Sequence, residues 1–288
     1  MKALSITWTC LSWAHARAPL FVPADRPDRL QKACTSGADA LIFDLEDAVA
    51  PGSKNQARHN LPALVQGAHA AGLPAWVRLN HDVLQLADDL QALVQAKADA
   101  FVWPKAEHPG LLDAIDQALN TLGAPHDLGA VALVEHPRTM GHERLMQLAM
   151  APRVKALALG TEDFSAAMGA APSPALLQAP AQAVIRAARA CDVLAYALPC
   201  SIALIEDTKA WQDGLQWARA QGGHGALCIH PKQVAAIHAS FQASPKELEW
   251  AQRVLQKAES HAGAAFRMDG LMVDLPVLER AKRLLHPF

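Results

Sequence analysis

Residues 40–49, ALIFDLEDAV, pass from an apolar run to three carboxylates, Asp44, Glu46 and Asp47, within four positions. The first four residues have the composition of a buried β-strand. Carboxylates clustered beside a buried strand are costly unless positive charge lies opposite them. The stretch therefore predicts a strand of an α/β sheet that carries a charged site at its carboxyl end.

Seven more short apolar runs flank this stretch and alternate with segments of helical periodicity. The predicted strands are 19–22, 40–43, 75–79, 100–103, 130–134, 154–159, 193–198 and 226–229. The predicted helices that follow the later strands are 84–96, 111–122, 139–150, 174–190, 208–221 and 232–241. Eight strand–helix units in series predict a closed α/β barrel, the (β/α)8 TIM barrel. An open doubly wound sheet would carry G-x-G-x-x-G in its first turn, and that motif is absent there.

The predicted barrel occupies residues 17–243, between two additional segments. Residues 1–16, MKALSITWTCLSWAHA, are interpreted as an N-terminal extension rather than a signal peptide, because polar residues interrupt the apolar run. Residues 244–288 are predicted to form an extra C-terminal helical tail. No segment approaches the roughly 18 consecutive apolar residues that a membrane span requires.

Composition excludes several classes of partner. The chain has 288 residues, 51% of them hydrophobic and 19% charged, with a formal net charge of -2. This balance is typical of a globular protein and gives no electrostatic reason to expect nucleic acid or an anionic membrane. The five cysteines are scattered and form no C-x-x-C pair, which favours reduced thiols and a cytoplasmic location.

Polar residues collect where the predicted strands end, and the carboxyl ends of barrel strands are where active sites of this fold lie. They are Asp44, Glu46 and Asp47 after the second strand, Arg78 and Asn80 at the third, Lys105 and Glu107 at the fourth, Glu135 and His136 at the fifth, Glu162 and Asp163 at the sixth, and His230 and Lys232 at the eighth. Carboxylates without clustered Cys or His favour Mg²⁺ over Zn²⁺. No P-loop is present, and H-E-x-x-H fails at Met146.

Each candidate also has a structural interpretation. Glu135 is either a metal ligand or a solvated strand end, and Asp163 is either a ligand or the N-cap of the next turn. Arg78 interrupts an apolar strand, so it pairs with the neighbouring carboxylate cluster, binds a substrate carboxylate through its planar fork, or does both. Lys105 and Lys232 are predicted to be charges at the rim rather than Schiff-base lysines.

Seven motifs follow one another along the chain. They are RAPLFVPADRPDR (17–29), SGADALIFDLEDAV (36–49), VRLN (77–80), WPKAE (103–107), LVEHP (133–137), LGTEDF (159–164) and IHPKQ (229–233). In this order they closely resemble the citrate lyase beta-subunit-like family of CoA-ester lyases. The resemblance covers nearly the whole chain from Arg17 onward and specifies the family more closely than the substrate.

The resemblance implies a Mg²⁺-dependent (β/α)8 barrel that assembles as a homotrimer or homohexamer. Its substrates would be 3-hydroxyacyl-CoA thioesters such as citramalyl-CoA, malyl-CoA or citryl-CoA, cleaved into acetyl-CoA and a 2-oxo acid. By position, Glu135 and Asp163 match the metal ligands, with Glu135 also at the substrate. Glu46 and Asp47 match an outer pair that meets the metal mostly through water.

The resemblance also assigns residues to the substrate. Arg78 matches the arginine that binds the substrate carboxylate, and Arg17 matches a further pocket position. Asp274, in GLMVDLP (270–276), matches the general acid/base that the tail carries into a neighbouring subunit's site. Two positions depart from the usual pattern, because Ala24 replaces a glycine and His136 replaces a threonine.

Two other functions remain open. A metal-dependent aldolase acting on free 4-hydroxy-2-oxo acids would have a similar metal site, but the motif around Asp274 favours the CoA lyases. A non-catalytic subunit of a lyase complex is disfavoured because the metal and arginine positions are intact.

Overall fold

The computed structural model describes residues 13, 15–261 and 265–285. The chain divides into two compact units, Met1–Phe241 and Gln242–Phe288. Each unit has its own buried apolar clusters. Among the described residues, no helix is long and apolar enough to cross a membrane.

The first unit is built on a parallel sheet of seven strands, in which each strand pairs with the next one along the chain. The strands are β1 (Pro19–Pro23), β2 (Ala40–Asp44), β3 (Ala75–Arg78), β4 (Ala100–Trp103), β5 (Gly129–Val134), β6 (Val154–Leu159) and β7 (Leu194–Tyr196). They are almost entirely buried because apolar clusters cover both faces of the sheet. Since all seven strands are parallel, their carboxyl ends lie at the same edge.

Helices follow the strands, as the periodicity predicted. They are α1 (Leu30–Cys34), α2 (Lys54–Ala70), α3 (Val83–Ala96), α4 (Pro109–Thr121), α5 (His142–Ala149), α6 (Thr161–Ala167), α7 (Pro174–Ala190), α8 (Thr208–Ala220) and α9 (Pro231–Phe241). Side-chain caps begin several of them, because the side chains of Asp82, Ser173 and Asp207 accept backbone N–H groups of α3, α7 and α8.

The predicted eighth strand, 226–229, is not a regular strand in the structure. Single bridges lie on its two sides: Cys228 pairs with Leu20 of β1, and Gly225, directly before the segment, pairs with Tyr196 of β7. The bridge to β7 is therefore made before the predicted strand begins, and β7 itself has only three residues. Because one short segment meets both the first and the last strand, the sheet is curled.

The amino edge of the sheet is packed by the chain that precedes β1. The ring of Trp13 stacks on Trp76 of β3, with centroids 4.7 Å apart. A Cβ on Gly129 would lie 2.9 Å from Cε2 of Trp13, so the indole occupies the place of a side chain there. The Tyr196 hydroxyl donates to the carbonyl of Ala16 at 2.6 Å. The end of the predicted extension is therefore part of the folded unit, while residues 1–12 and 14 lie outside the described residues.

The second unit differs from the predicted helical tail, because a β-hairpin separates its two helices. Its elements are α10 (Pro245–Glu259), β8 (Phe266–Met268), β9 (Leu271–Val273) and α11 (Leu275–Leu285). The turn between the strands is Asp269-Gly270, and both residues have positive φ, 52° and 79°. Asp-Gly is a favoured two-residue hairpin turn because its residues tolerate these angles. The hairpin signal was therefore present in the sequence.

Candidate metal and substrate site

A cavity of about 780 Å³ opens at the carboxyl edge of the sheet in the first unit. Its lining includes Asp47, Arg78, Glu135 and Asp163, which were predicted from the strand ends. Because β2, β3, β5 and β6 are parallel, residues far apart in sequence meet here. Most of the predicted charged site is therefore brought together in one cavity.

Glu135 is a deeply buried carboxylate of this cavity, and only 4% of its surface is exposed. Its Oε2 accepts a hydrogen bond from the backbone N–H of Lys105 at 2.6 Å. Burial raises the pKa of Glu135 to about 8, and the nearby charge of Asp163 adds to the rise against the effect of the Lys105 N–H. Two carboxylates thus lie close together with too little positive charge to stabilise both as anions.

Gly160 makes room for the side chain of Glu135. A Cβ at Gly160 would lie 2.5 Å from Oε1 and 2.9 Å from Cδ of that residue. The N–H of Gly160 donates to the carbonyl of Val134 at 2.9 Å, which continues the pairing of β5 with β6. The sheet register therefore places Glu135 beside Gly160, the N-cap of α6, whose first turn carries Asp163.

Arg78 and Asp44 are register partners on adjacent strands and form a paired contact. Nε and Nη2 of Arg78 donate to the two oxygens of Asp44 at 2.8 and 2.5 Å. Asp44 also accepts the backbone N–H groups of Glu46 and Ala48. The guanidinium lies 5.1 Å from the centroid of the Phe21 ring. The planar fork of Arg78 is thus occupied by Asp44, and Nη1 is the nitrogen left to face other anions.

Glu46 lies between two cations. Its Oε1 accepts a hydrogen bond from Nζ of Lys105 at 2.7 Å. Its Oε2 is 3.1 Å from Nη1 of Arg78, within ion-pair distance, but is buried and has no hydrogen-bond partner among the described residues. Burial raises the pKa of Glu46, although Arg78 and Lys105 oppose the rise. Asp47 is exposed and 3.7 Å from Nη1 of Arg78.

Lys105 connects the two parts of the carboxylate cluster, and its role was not anticipated from the sequence. Its φ of 48° is in the left-handed region, which few residues other than glycine adopt. From there its N–H bonds Glu135 while its ammonium bonds Glu46. Burial alone would lower the pKa of Lys105, but the hydrogen bond and charge of Glu46 outweigh it and raise the pKa. The group therefore stays charged, unlike a Schiff-base lysine.

The donor set fits a hard divalent cation. Within the described part of the chain, no group of three or more His, Cys, Asp or Glu is arranged to hold a metal. Glu135 and Asp163 instead offer a pair of carboxylates in a cavity with space for water and ligand oxygens. This is the composition that Mg²⁺ commonly takes, because it retains several waters beside one or two carboxylates.

Three predicted site residues, Arg17, Glu46 and Asp274, do not line this cavity, although Glu46 contacts Arg78, which does. Arg17 precedes β1 at the amino edge, where its Nη1 donates to the carbonyl of Phe241 at 3.0 Å and its backbone N–H donates to Asp39 at 2.9 Å. This placement does not bring Arg17 to the other candidates. Asp274 belongs to the second unit, where it is exposed between β9 and α11.

Comparison with known proteins gives one consistent result. A family model described as HpcH/HpaI aldolase/citrate lyase matches residues 17–231. A citrate lyase subunit beta-like protein of Mycobacterium tuberculosis is 33% identical over 273 residues, covering 92% of this chain and 93% of that protein. A (3S)-malyl-CoA thioesterase of Cereibacter sphaeroides is 30% identical over 264 residues, covering 90% of this chain and 89% of that protein. The crystal structure of CitE from M. tuberculosis in complex with magnesium, acetoacetate and coenzyme A superposes with a TM-score of 0.77 and 31% sequence identity. The match covers 94% of this chain and 97% of that chain.

Proposed function

This chain belongs to the HpcH/HpaI aldolase/citrate lyase family, and on that premise we propose that it is a Mg²⁺-dependent carbon–carbon lyase acting on CoA thioesters. The substrate is a 3-hydroxyacyl-CoA such as citramalyl-CoA, malyl-CoA or citryl-CoA, and the products are acetyl-CoA and a 2-oxo acid. The observation that carries the proposal is the buried Glu135 beside Asp163 in a cavity of about 780 Å³.

The proposed metal ligands are Glu135 and Asp163. Similar proteins have been crystallised with magnesium together with acetoacetate, pyruvate or oxaloacetate. Bound here, the ion would supply positive charge next to the oxygen on which charge develops during the reaction. Glu46, whose Oε2 accepts no hydrogen bond from the described residues, and the exposed Asp47 are proposed to meet the ion through water.

Arg78 is proposed to bind the substrate carboxylate through Nη1. Asp44 holds Nε and Nη2, so the guanidinium is fixed before substrate arrives and loses little conformational freedom on binding. Phe21 against the guanidinium restrains it further. Such prior orientation lowers the entropic cost of reaching the reactive geometry.

The proposed cleavage moves one proton from oxygen to carbon. The substrate hydroxyl loses its proton, the adjacent carbon–carbon bond breaks, and its electron pair remains on the thioester fragment as an enolate. That carbon then takes up a proton to become the methyl group of acetyl-CoA. We assign this proton transfer to Asp274 as general acid/base.

The assembly is proposed to be a homotrimer or homohexamer in which residues 244–288 serve a neighbouring subunit's site. Asp274 is exposed, and the exposed side chains of Leu271, Met272 and Leu275 surround it in sequence. Apolar side chains gathered on a surface are typical of contacts with another chain. We propose a cytoplasmic location, where the four described free cysteines would stay reduced.

A closed (β/α)8 barrel over residues 17–243 is the architecture we propose for this site. The segment after α8 donates from Ala226 to Arg17 and from Cys228 to Pro19, and Phe21 donates back to Cys228. On its other side, His224 donates to Ala195. These bonds support a barrel whose eighth position is irregular.

The test supplies each candidate thioester with Mg²⁺ and measures acetyl-CoA, the 2-oxo acid and free CoA thiol separately. The proposal expects acetyl-CoA and 2-oxo acid in equal amounts, with both lost when the metal is chelated. Free thiol without 2-oxo acid would indicate a thioesterase, the activity named for one relative. Cleavage of free 4-hydroxy-2-oxo acids but of no thioester would indicate an aldolase. Absence of reaction with every thioester and every free acid would indicate a non-catalytic subunit.

A further inference from the structure

The loop after β7 is held from both sides at one residue, Ile202. Its backbone N–H donates to Oε1 of Glu162 at 3.1 Å and lies 3.3 Å from Oγ1 of Thr161. Its carbonyl accepts from Nε2 of Gln233 at 2.8 Å. Both backbone groups of Ile202 are therefore fixed by side chains from the first turns of α6 and α9.

Two of the residues that hold Ile202, Glu162 and Gln233, are themselves fixed. Glu162 also accepts the hydroxyl of Ser201 at 2.6 Å. Gln233 is buried, and its Oε1 accepts the N–H groups of Ile229 and His230 at 3.0 and 3.1 Å. The loop after β7 and the first turns of α6 and α9 form one hydrogen-bonded unit, which leaves Ile202 little freedom to move away from a ligand.

The side chain of Ile202 lines the cavity and packs against the apolar cluster inside the sheet. Glu162, which binds its N–H, directly precedes the proposed metal ligand Asp163. Leu159 and Leu198, members of an apolar cluster that Ile202 packs against, also line the cavity. An apolar wall held in place by hydrogen bonds therefore adjoins the start of α6, which carries the proposed metal ligand Asp163.

We propose that Ile202 is a specificity-determining residue that limits the group carried by the reacting carbinol carbon to hydrogen or a short alkyl chain. This inference rests on the proposed function and names its substrate class, the thioesters that yield glyoxylate, pyruvate or a similarly short 2-oxo acid. A longer alkyl group would collide with the fixed side chain. The carboxymethyl group of citryl-CoA would place a charge directly against the Ile202 side chain, and contact of a charge with hydrocarbon is unfavourable.

The test measures binding as well as turnover. Calorimetry in the presence of Mg²⁺ compares glyoxylate, pyruvate, 2-oxovalerate and oxaloacetate, and the corresponding thioesters give kcat/KM. The wild-type protein should bind pyruvate at least about tenfold more tightly than 2-oxovalerate or oxaloacetate, since an extra group that meets a fixed apolar side chain costs roughly 10- to 200-fold. Equal binding of pyruvate and 2-oxovalerate would overturn the proposal.

Variants then assign the effect to Ile202. Ile202→Ala should shift the 2-oxovalerate to pyruvate ratio by about tenfold toward the longer acid, and Ile202→Val by less. Ile229→Ala is the matched control, because Ile229 also lines the cavity but is 41% exposed, and its ratio should not move. A uniform loss of binding for every acid in both Ile202 variants would show a merely structural residue and contradict the proposal.

Glu162→Gln tests the restraint on the loop. The amide keeps the size of the side chain but weakens the bonds to Ser201 and Ile202, so discrimination should relax in the same direction as in Ile202→Ala. An unchanged ratio of 2-oxovalerate to pyruvate binding would show that the hydrogen bonds of Glu162 do not contribute to specificity. If the acids bind selectively but no thioester is cleaved, the proposed function fails while the role of Ile202 stands. Cleavage with a ratio insensitive to Ile202 would contradict that role and leave the proposed function intact.

Discussion

Gly160 and Glu135 share a space that admits only one side chain. A Cβ on Gly160 would lie 2.5 Å from Oε1 of Glu135. The φ of Gly160 is -85°, a value that any residue adopts. A glycine is therefore required at this position because the Glu135 side chain approaches closely, and not because of the backbone conformation. The position of the carboxylate therefore depends on the absence of a side chain on the neighbouring strand.

Gly160→Ala should weaken Mg²⁺ binding by at least about tenfold, because the methyl group displaces the Glu135 carboxylate. Calorimetric titration with Mg²⁺ measures the affinity, and circular dichroism checks that the fold is retained. Gly141→Ala is the matched control, since Gly141 also precedes a helix, has a φ of -63°, and has no atom near its Cβ position. Equal affinities in the two variants would contradict the proposed ligand position.

Metal-free protein should lose stability as the pH rises, through Glu135. Its folded-state pKa is about 8, above the ordinary value of 4.5, so the protonated side chain favours folding. This contribution is full below pH 4.5 and is lost as the pH rises through about 8. The melting temperature of the wild type, without metal, should therefore fall more steeply over this interval than that of Glu135→Gln. If the melting temperatures of the two proteins fell in parallel with pH, burial of the Glu135 carboxylate would not be the cause of the pH dependence.

Mixing two inactive variants tests whether the second unit serves another subunit. Asp274→Ala and Glu135→Ala chains should each lack activity, but subunit exchange should produce sites with both residues intact if Asp274 acts on a neighbour. Acetyl-CoA release from the mixture measures this. Persistent inactivity, once mass spectrometry has confirmed exchange, would indicate a self-contained site.

Arg78→Met should destabilise the protein by about 3–5 kcal/mol, because it leaves the carboxylate of Asp44 buried without its cation. Only 1% of the Asp44 side chain is exposed. Denaturant unfolding of the single variants and of Asp44→Asn/Arg78→Met measures the coupling, and the double variant should lose less than the sum. Arg26→Met is the control, since its pair with Asp28 is exposed and its loss should change stability little. Additive losses in the cycle would show that the pair is not coupled.

Trp13→Ala should lower stability by about 1–3 kcal/mol, because it removes a stacked aromatic pair and its buried area. Trp13→Phe should recover part of the loss, since it keeps an aromatic ring against Trp76. Chemical unfolding followed by fluorescence measures both. No change in either variant would mean that the segment before β1 does not contribute to the fold.

The sheet was predictable because parallel strands buried on both faces give short apolar runs, and seven of the eight predicted runs are strands. The eighth carries a similar run, yet it pairs with its neighbours through single bridges, a property of spatial fit that composition does not encode. The hairpin in the second unit was missed for another reason. Its Asp269-Gly270 turn signal was present but was assigned to a helical tail.

The site was predictable only in part. Strand ends identified Arg78 and Glu135 because parallel strands bring such residues to one edge. The contacts of Lys105 depend on one residue adopting a left-handed φ, which no neighbouring residue signals. Arg17 matched a motif, but it precedes β1 and therefore lies at the opposite edge from the strand ends. Ile202 lies in a loop without a motif, so its place at the cavity depends on tertiary contacts alone.

The order of the strands also bears on how the acidic cluster is assembled during synthesis. Asp44 meets its cation 34 residues later, and Glu46 meets Lys105 after 59 residues. Lys105 is already present when Glu135 follows 30 residues after it. A chain that adds strands from its amino terminus therefore offsets most of each new negative charge with the next units translated. The exception is the pair Glu135 and Asp163, whose mutual repulsion is left for the proposed Mg²⁺ to relieve.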